Sequence, residues 1–165
     1  MTWARSLLRV LLRASVTLFQ QLRRSVWFFS RPTTHGVHAV ALTPEGKIVL
    51  VKLTYASGWR LPGGGRKAGE RPEDAVIREL EEEVGMAAHG AIHSVYEFRH
   101  SPDFRKGHAV LFVATDVAYR PPRWSFEVED VREFALGELP EDTAAIARRQ
   151  IGDAMAFLRV SEAPS

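Results

Sequence analysis

The chain contains no cysteine. That excludes a disulfide scaffold, thiolate zinc sites, iron–sulfur clusters and a cysteine nucleophile. Any metal must be held by oxygen or imidazole. The N-terminal segment has no long apolar run. Its longest uncharged stretch, residues 14–22, falls far short of the ~20 residues a membrane-spanning helix needs. Arginines interrupt the apolar core that a secretory signal requires, and no small-residue cleavage site follows. Acids are missing from residues 1–31, which hold Arg5, Arg9, Arg13, Arg23, Arg24 and Arg31, while the rest of the chain carries four more acids than bases. A basic head on an acidic body is not the profile of a globally basic nucleic-acid binder, so no nucleic-acid partner is expected. Neither a P-loop nor a Gly-x-Ser-x-Gly pattern occurs, and there is no internal repeat. The 165 residues, 45% hydrophobic and 25% charged, support one packed domain with a short appendage. A reducing cytoplasm is the expected compartment.

On a helical wheel, Arg5, Arg9, Arg13, Gln20, Arg23 and Arg24 share one arc of the head, and Leu7, Leu8, Leu11, Leu18, Phe19, Leu22, Val26 and Phe29 the opposite side. The head therefore reads as an amphipathic helix. Three uses fit it. It packs on its own domain or on a second copy as a homodimer, it lies on an anionic membrane surface as a peripheral contact, or it is an organelle transit peptide. Arg31-Pro32 closes it, because proline disfavours a helical residue before it.

The spacing beyond the head predicts strands over residues 36–42 and 47–53, joined by the turn Thr43-Pro44-Glu45-Gly46. A short strand over 59–61 leads into the turn Pro62-Gly63-Gly64-Gly65. A helix over 72–84 follows, with Pro72 in its first turn and Gly85 as its stop. Strands over 91–99, 108–117 and 131–136, a Pro-rich loop over 120–124 and a closing helix over 141–158 complete the reading. This order predicts an α/β domain with a mixed sheet covered by helices on two sides.

The informative segment is residues 64–86. Val76, Leu80 and Val84 form a buried seam with Ile77, while Glu79, Glu82 and Glu83 stand at i, i+3 and i+4 and converge on an adjacent face. Three carboxylates that close repel one another unless something offsets the charge, and a hard divalent cation that also bridges to phosphate does so directly. The alternative is a solvated acidic face. The triple glycine just upstream weighs against it, because such a loop lets backbone approach a ligand closely.

This segment resembles the Nudix box, G-x5-E-x7-R-E-U-x-E-E-x-G-U with U aliphatic. Gly64, Glu70, Arg78, Glu79, Leu80, Glu82, Glu83, Gly85 and Met86 fill every fixed position without a gap, and Trp59-Arg60-Leu61-Pro62-Gly63 is similar to the family's approach to the box. The wider resemblance covers roughly residues 34–160. It implies a Nudix-like α/β/α sandwich over residues 32–165, preceded by the amphipathic helix of residues 1–31. It implies a hydrolase that cleaves the diphosphate bond of a nucleoside diphosphate linked to another moiety, using Mg2+ or Mn2+. By the same resemblance Glu82 and Glu83 are metal ligands, Glu79 is a ligand or the base that activates water, and Arg78 holds the glutamates in place. Glu70 supports the loop–helix junction, and a backbone carbonyl of the Gly63-Gly64 turn completes the coordination. Physically, metal ions neutralise diphosphate oxygens and lower the pKa of water, and phosphoryl transfer needs positioning and charge stabilisation more than covalent help.

Some relatives carry a glutamate where this chain has Lys67. The substitution leaves the number of metals open and allows the amine to face a phosphate. A further catalytic glutamate ahead of the last strand is common among relatives, and Glu127 is the candidate here, against the alternative of a solvated loop carboxylate. Arg60, Lys67, Arg99, His100 and Phe104 are the expected substrate contacts. Trp59 and Phe98 are further candidates for stacking on a base, with core packing the default for Phe98. The histidines show no metal-pair spacing. ADP-ribose-hydrolysing relatives often carry a proline some 16 residues after the box, where Pro102 stands, so ADP-ribose or a sugar nucleotide ranks ahead of a nucleoside triphosphate. A non-catalytic nucleotide-sensing module remains the alternative. An isoprenyl diphosphate isomerase, which shares the fold, uses a cysteine that this chain lacks.

Overall fold

The computed structural model describes residues 34–100, 107–122, 125 and 127–161. The basic head, Pro102, Phe104 and the side chain of His100 lie outside them. The chain divides into two units, one of residues 1–34 and 99–107 and the other of His35–Phe98 and His108–Ser165. The second holds the fold described here.

Among the described residues nine strands run in chain order: β1 (Thr34–Leu42), β2 (Ile48–Leu53), β3 (Trp59–Arg60), β4 (Gly63–Gly65), β5 (Met86–Ala88), β6 (Ile92–His100), β7 (Gly107–Ala114), β8 (Ala118–Tyr119) and β9 (Val128–Phe134). Helix α1 (Pro72–Glu79) continues without a break into a π-helical turn, Leu80–Val84, and α2 (Ala145–Ser161) closes the domain. The period-2 alternation of the strands sorts their side chains onto two faces. Val37, Ala39, Ala41, Val49, Val51, Val110, Phe112 and Ala114 meet Ala75, Val76, Leu80 and Val84 of the first helical segment. Val40, Leu42, Ile48, Leu50, Leu111 and Val113 meet Ala147, Ile151 and Ala154 of α2. The result is a mixed sheet between helices, the expected α/β architecture.

The first hairpin forms as predicted. Gly46 N donates to Thr43 O at 2.8 Å, and Gly46 has φ 73°. Beyond it β1 and β2 pair only at Ala41↔Val49 and Leu42↔Ile48 and then diverge. Into the gap goes the next piece of chain, with β3 antiparallel to β2 and β4 antiparallel to β1. The Gly63–Gly65 segment, expected to be a turn, is thus a strand. On the far edge of β2, β9 pairs along its length from Ile48↔Phe134 to Leu53↔Val128.

Other boundaries differ for local reasons. The last strand starts at Val128 rather than 131, because it pairs with all of β2. β7 stops at Ala114, and Asp116 then adopts φ 52°. The closing helix begins at Ala145, after a turn in which Thr143 N donates to Pro140 O. β5 and β8 form a separate two-stranded sheet too short to show a period in sequence.

Candidate active site

Two glycines bring backbone against the helix. Gly63 has φ 144°, and a Cβ there would stand 2.2 Å from Val37 O; a Cβ on Gly64 would stand 2.7 Å from Glu79 Oε2. Only residues without side chains allow β4 to pair with β1 and lie beside the helix carboxylates at once. Gly63 N donates to Glu83 Oε2 at 2.8 Å.

Arg78 ties the loop, the strand and the helix together. Its Nε and Nη2 donate to Glu70 Oε1 and Oε2 at 2.8 and 3.0 Å, a bidentate pair. Its Nη1 donates to Glu79 Oε1 at 2.7 Å and to Glu82 Oε2 at 3.3 Å, and its Nη2 also reaches Gly65 O at 3.0 Å. Glu70 accepts from Lys67 N at 2.7 Å, and its own carbonyl accepts from Arg66 Nε and Nη2. The Arg78 hydrogen bonds, with the Lys67 amide, hold the Glu70 carboxyl at about 2. Through these contacts Arg78 and Glu70 join the loop ahead of α1, β4 and the helix.

The glutamates do not share one environment. Glu79 and Glu83 are buried, whereas the Glu82 side chain is 58% exposed. Adjacent residues stand ~100° apart on a helix, and Glu83 lies nearer the Val76, Leu80 and Val84 seam than Glu82 does, so only part of the expected cluster is enclosed. Burial pushes the Glu83 carboxyl up to about 8, against the Gly63 amide, and the charges of Glu79, Glu127 and Glu82 add to the effect. Burial also raises Glu79, opposed by Arg78 and assisted by Glu82 and Glu127. Glu127 lies within electrostatic reach of both buried carboxylates. Its position is set by backbone contacts: Thr54 N donates to Glu127 O at 2.9 Å, and the amides of Glu127 and Val128 donate to Ser125 Oγ at 3.2 and 3.0 Å. Ser125 and Thr54 were not singled out from sequence. The Ser-x-x turn ahead of a strand is the signal that could have found Ser125.

Hard carboxylate oxygens gathered at a buried, under-compensated site suit a magnesium-like cation. Among the described residues no three acidic or histidine side chains form a closed cage as they stand. Arg78 and the Gly63 amide occupy oxygens of Glu79 and Glu83.

The expected substrate contacts fare unequally. Arg60 is half-buried on β3, and Lys67 and Arg99 are exposed. Trp59 is not available to stack on a base, because it is buried in the α2 core with its ring edge-on to Phe134. Phe98 packs against the same core, its default reading. His35 and His108 stack with centroids 6.3 Å apart.

A family model, the NUDIX domain, matches residues 32–155. The chain belongs to the Nudix family. Among its relatives, the ADP-ribose pyrophosphatase of Bacillus subtilis is 28% identical over 137 residues, covering 78% of this chain and 74% of that protein. The RNA pyrophosphohydrolase of Hydrogenovibrio crunogenus is 42% identical over 51 residues, 31% of each chain. This Nudix chain thus spans about a third of the length of that relative. Among solved structures, a MutT NUDIX hydrolase from Burkholderia pseudomallei superposes with a TM-score of 0.63 at 26% identity, covering 74% of this chain and 98% of that one. The NUDIX domain of Shewanella oneidensis NrtR complexed with ADP ribose superposes with a TM-score of 0.65 at 21% identity, covering 77% and 89%, a likeness of fold.

Proposed function

We propose that this Nudix protein is a pyrophosphohydrolase that cleaves the diphosphate bond of a nucleoside diphosphate linked to another moiety. ADP-ribose or a sugar nucleotide stands ahead of a nucleoside triphosphate. The observation that carries the reading is the buried pair Glu79 and Glu83, both raised by burial, with Glu127 in electrostatic reach and a side-chain-free glycine strand alongside. The long match to an ADP-ribose pyrophosphatase supports the substrate preference.

In this reading Glu79, Glu82 and Glu83 hold a divalent cation, together with the Gly64 backbone. Such a cation, when bound, neutralises diphosphate oxygens and makes water more acidic. Arg78 acts through the glutamates, fixing Glu79 and Glu82 against Gly65 and Glu70. Glu127 accepts the proton of the attacking water at its carboxylate, the arrangement expected of a general base. Lys67 offers an exposed ammonium on the loop ahead of α1. The intact carboxylate set favours hydrolysis over the alternative, a nucleotide-sensing module, because a sensor does not need these residues.

The test is a hydrolysis screen over ADP-ribose, sugar nucleotides and nucleoside triphosphates with and without Mg2+, reading phosphate or nucleotide release. Turnover of a diphosphate-linked nucleotide that stops in excess chelator is expected. No product from any member of the panel, or full turnover in chelator, would sink the reading.

A further inference from the structure

The histidines show no metal-pair spacing along the chain, but the sheet brings two of them together. β1 and β7 are hydrogen-bonded neighbours. Along β1, Val37, Ala39 and Ala41 lie on the face that carries α1, and along β7 so do Val110, Phe112 and Ala114. The period of two puts His35 and His108 on that same face. The opposite face agrees with this register, since a Cβ on Gly36 would stand 3.7 Å from Ala109 Cβ. The two imidazole rings are near-parallel, with 26° between their planes and 6.3 Å between their centroids.

The fold leaves both rings unused. His35 and His108 are exposed. Among the described residues neither ring takes part in a hydrogen bond or an ion pair, and the contact between the rings is their one interaction. Their backbones are nevertheless fixed. Both stand in strands, and Arg66 N donates to His35 O at 2.8 Å. Two imidazoles on rigid neighbouring strands thus face water with their ring nitrogens free.

We propose that His35 and His108 form a bidentate site for a divalent transition ion of the zinc, nickel or copper kind. An imidazole nitrogen holds such an ion at ~2 Å, which leaves two ring centroids about 5–6.5 Å apart, according to the angle at the metal. The observed 6.3 Å lies in that span. The broad χ2 torsion of histidine lets each ring turn a nitrogen toward the ion. Mg2+ does not suit the pair, because it takes oxygen ligands. The site therefore differs in chemistry from the glutamates of the helix and does not depend on the hydrolase reading. Two protein ligands leave the other positions to water, so the ion exchanges with solvent, unlike a four-ligand structural zinc.

The full-length chain, free of any histidine tag, is titrated calorimetrically with Zn2+ in excess Mg2+, and the imidazole nitrogens are followed by NMR. The wild type should bind one Zn2+ through nitrogen ligands, with the resonances of His35 and His108 shifting together. Losing one of two linked ligands should weaken binding about a hundredfold in His35→Gln and in His108→Gln. His89→Gln, at an exposed histidine elsewhere, should bind as the wild type does. Zn2+ should raise the melting temperature of the wild type more than that of either pair variant. Turnover with Mg2+ alone should be unchanged in His35→Gln. Wild-type affinity in either pair variant overturns the inference. So does a wild-type chain that binds no Zn2+ in excess Mg2+, or one whose shifts fall on other histidines. The wild-type spectrum decides the matter even where a variant does not fold.

Discussion

Adjacent glutamates, Glu82 and Glu83, meet opposite fates, one mostly exposed and the other buried with its carboxyl pushed up to about 8. Replacing either by glutamine is expected to cut turnover by about two orders of magnitude or more, because a neutral amide does not replace a carboxylate as a ligand for a hard cation. Their effects on stability should differ. Between pH 4.5, the ordinary value, and about 8, the native protein keeps a proton on Glu83 that the unfolded chain releases. The metal-free protein therefore loses stability as pH rises through that window. A melting series without metal should show the decline, and Glu83→Gln should flatten it. Glu70 runs the other way: its carboxyl is held at about 2, so the stability it contributes is present above pH 4.5 and is lost as pH falls toward 2. Glu127→Gln should lower kcat more than it raises KM, while Glu129→Gln should do much less. Equal and trivial effects from both would move the base elsewhere. The box residues were legible because their spacing is itself the signal. The different burial of Glu82 and Glu83 does not follow from their shared i+3 and i+4 relation to Glu79 but from the ~100° between adjacent helix residues, which sets Glu83 nearer the Val76, Leu80 and Val84 seam. Nor does sequence separation show the Thr54 and Ser125 contacts that hold Glu127.

At the level of elements, the two helices and the long strands were readable from period and punctuation, since each buries a regular stripe on one side or the other of the sheet. The β3–β4 insertion was not. Three glycines show no side-chain alternation, and the pairings that make them a strand are with β1, in another part of the chain. The insertion also tolerates little change. Gly63→Ala puts a methyl 2.2 Å from Val37 O at φ 144°. Strain there should cost about 1–3 kcal/mol and shift the amide that holds Glu83. A denaturant midpoint lowered together with lost activity is expected. Gly137→Ala is the control, since its Cβ would meet nothing within 4 Å. Wild-type stability in Gly63→Ala would contradict the placement of β4.

For the whole molecule, every box residue lies between Gly64 and Met86 and Pro32 separates the head from the first strand, the core members among the described residues fall between Val37 and Leu158, and no described helix is long and apolar enough to cross a membrane. Deleting residues 1–30 should therefore leave the folded domain able to hydrolyse a soluble substrate. What should change is association. Six arginines near an anionic surface supply about 1 kcal/mol each at most, and salt should weaken that part. Co-sedimentation with anionic vesicles, beside sizing of the full and shortened chains, separates lipid contact from self-association. Vesicle binding lost on deletion supports the surface helix. No binding by the full chain, together with loss of a dimer on deletion, supports packing between copies.

The pairing of β2 with β9 also orders events during folding. Lys47 and Glu133, joined by an ion pair at 2.7 Å across that seam, are 86 residues apart in the chain. Contacts this distant carry a loop-closure penalty and tend to form late. The glycine strand, α1 and Arg78 are close together in sequence and can assemble early. Glu127 reaches the helix glutamates only when β9 docks. A chain still being synthesised thus presents its carboxylate helix well before its base, and in this reading hydrolytic competence arrives with the last closure of the sheet. A refolding time course should accordingly show helical signal recovering ahead of activity.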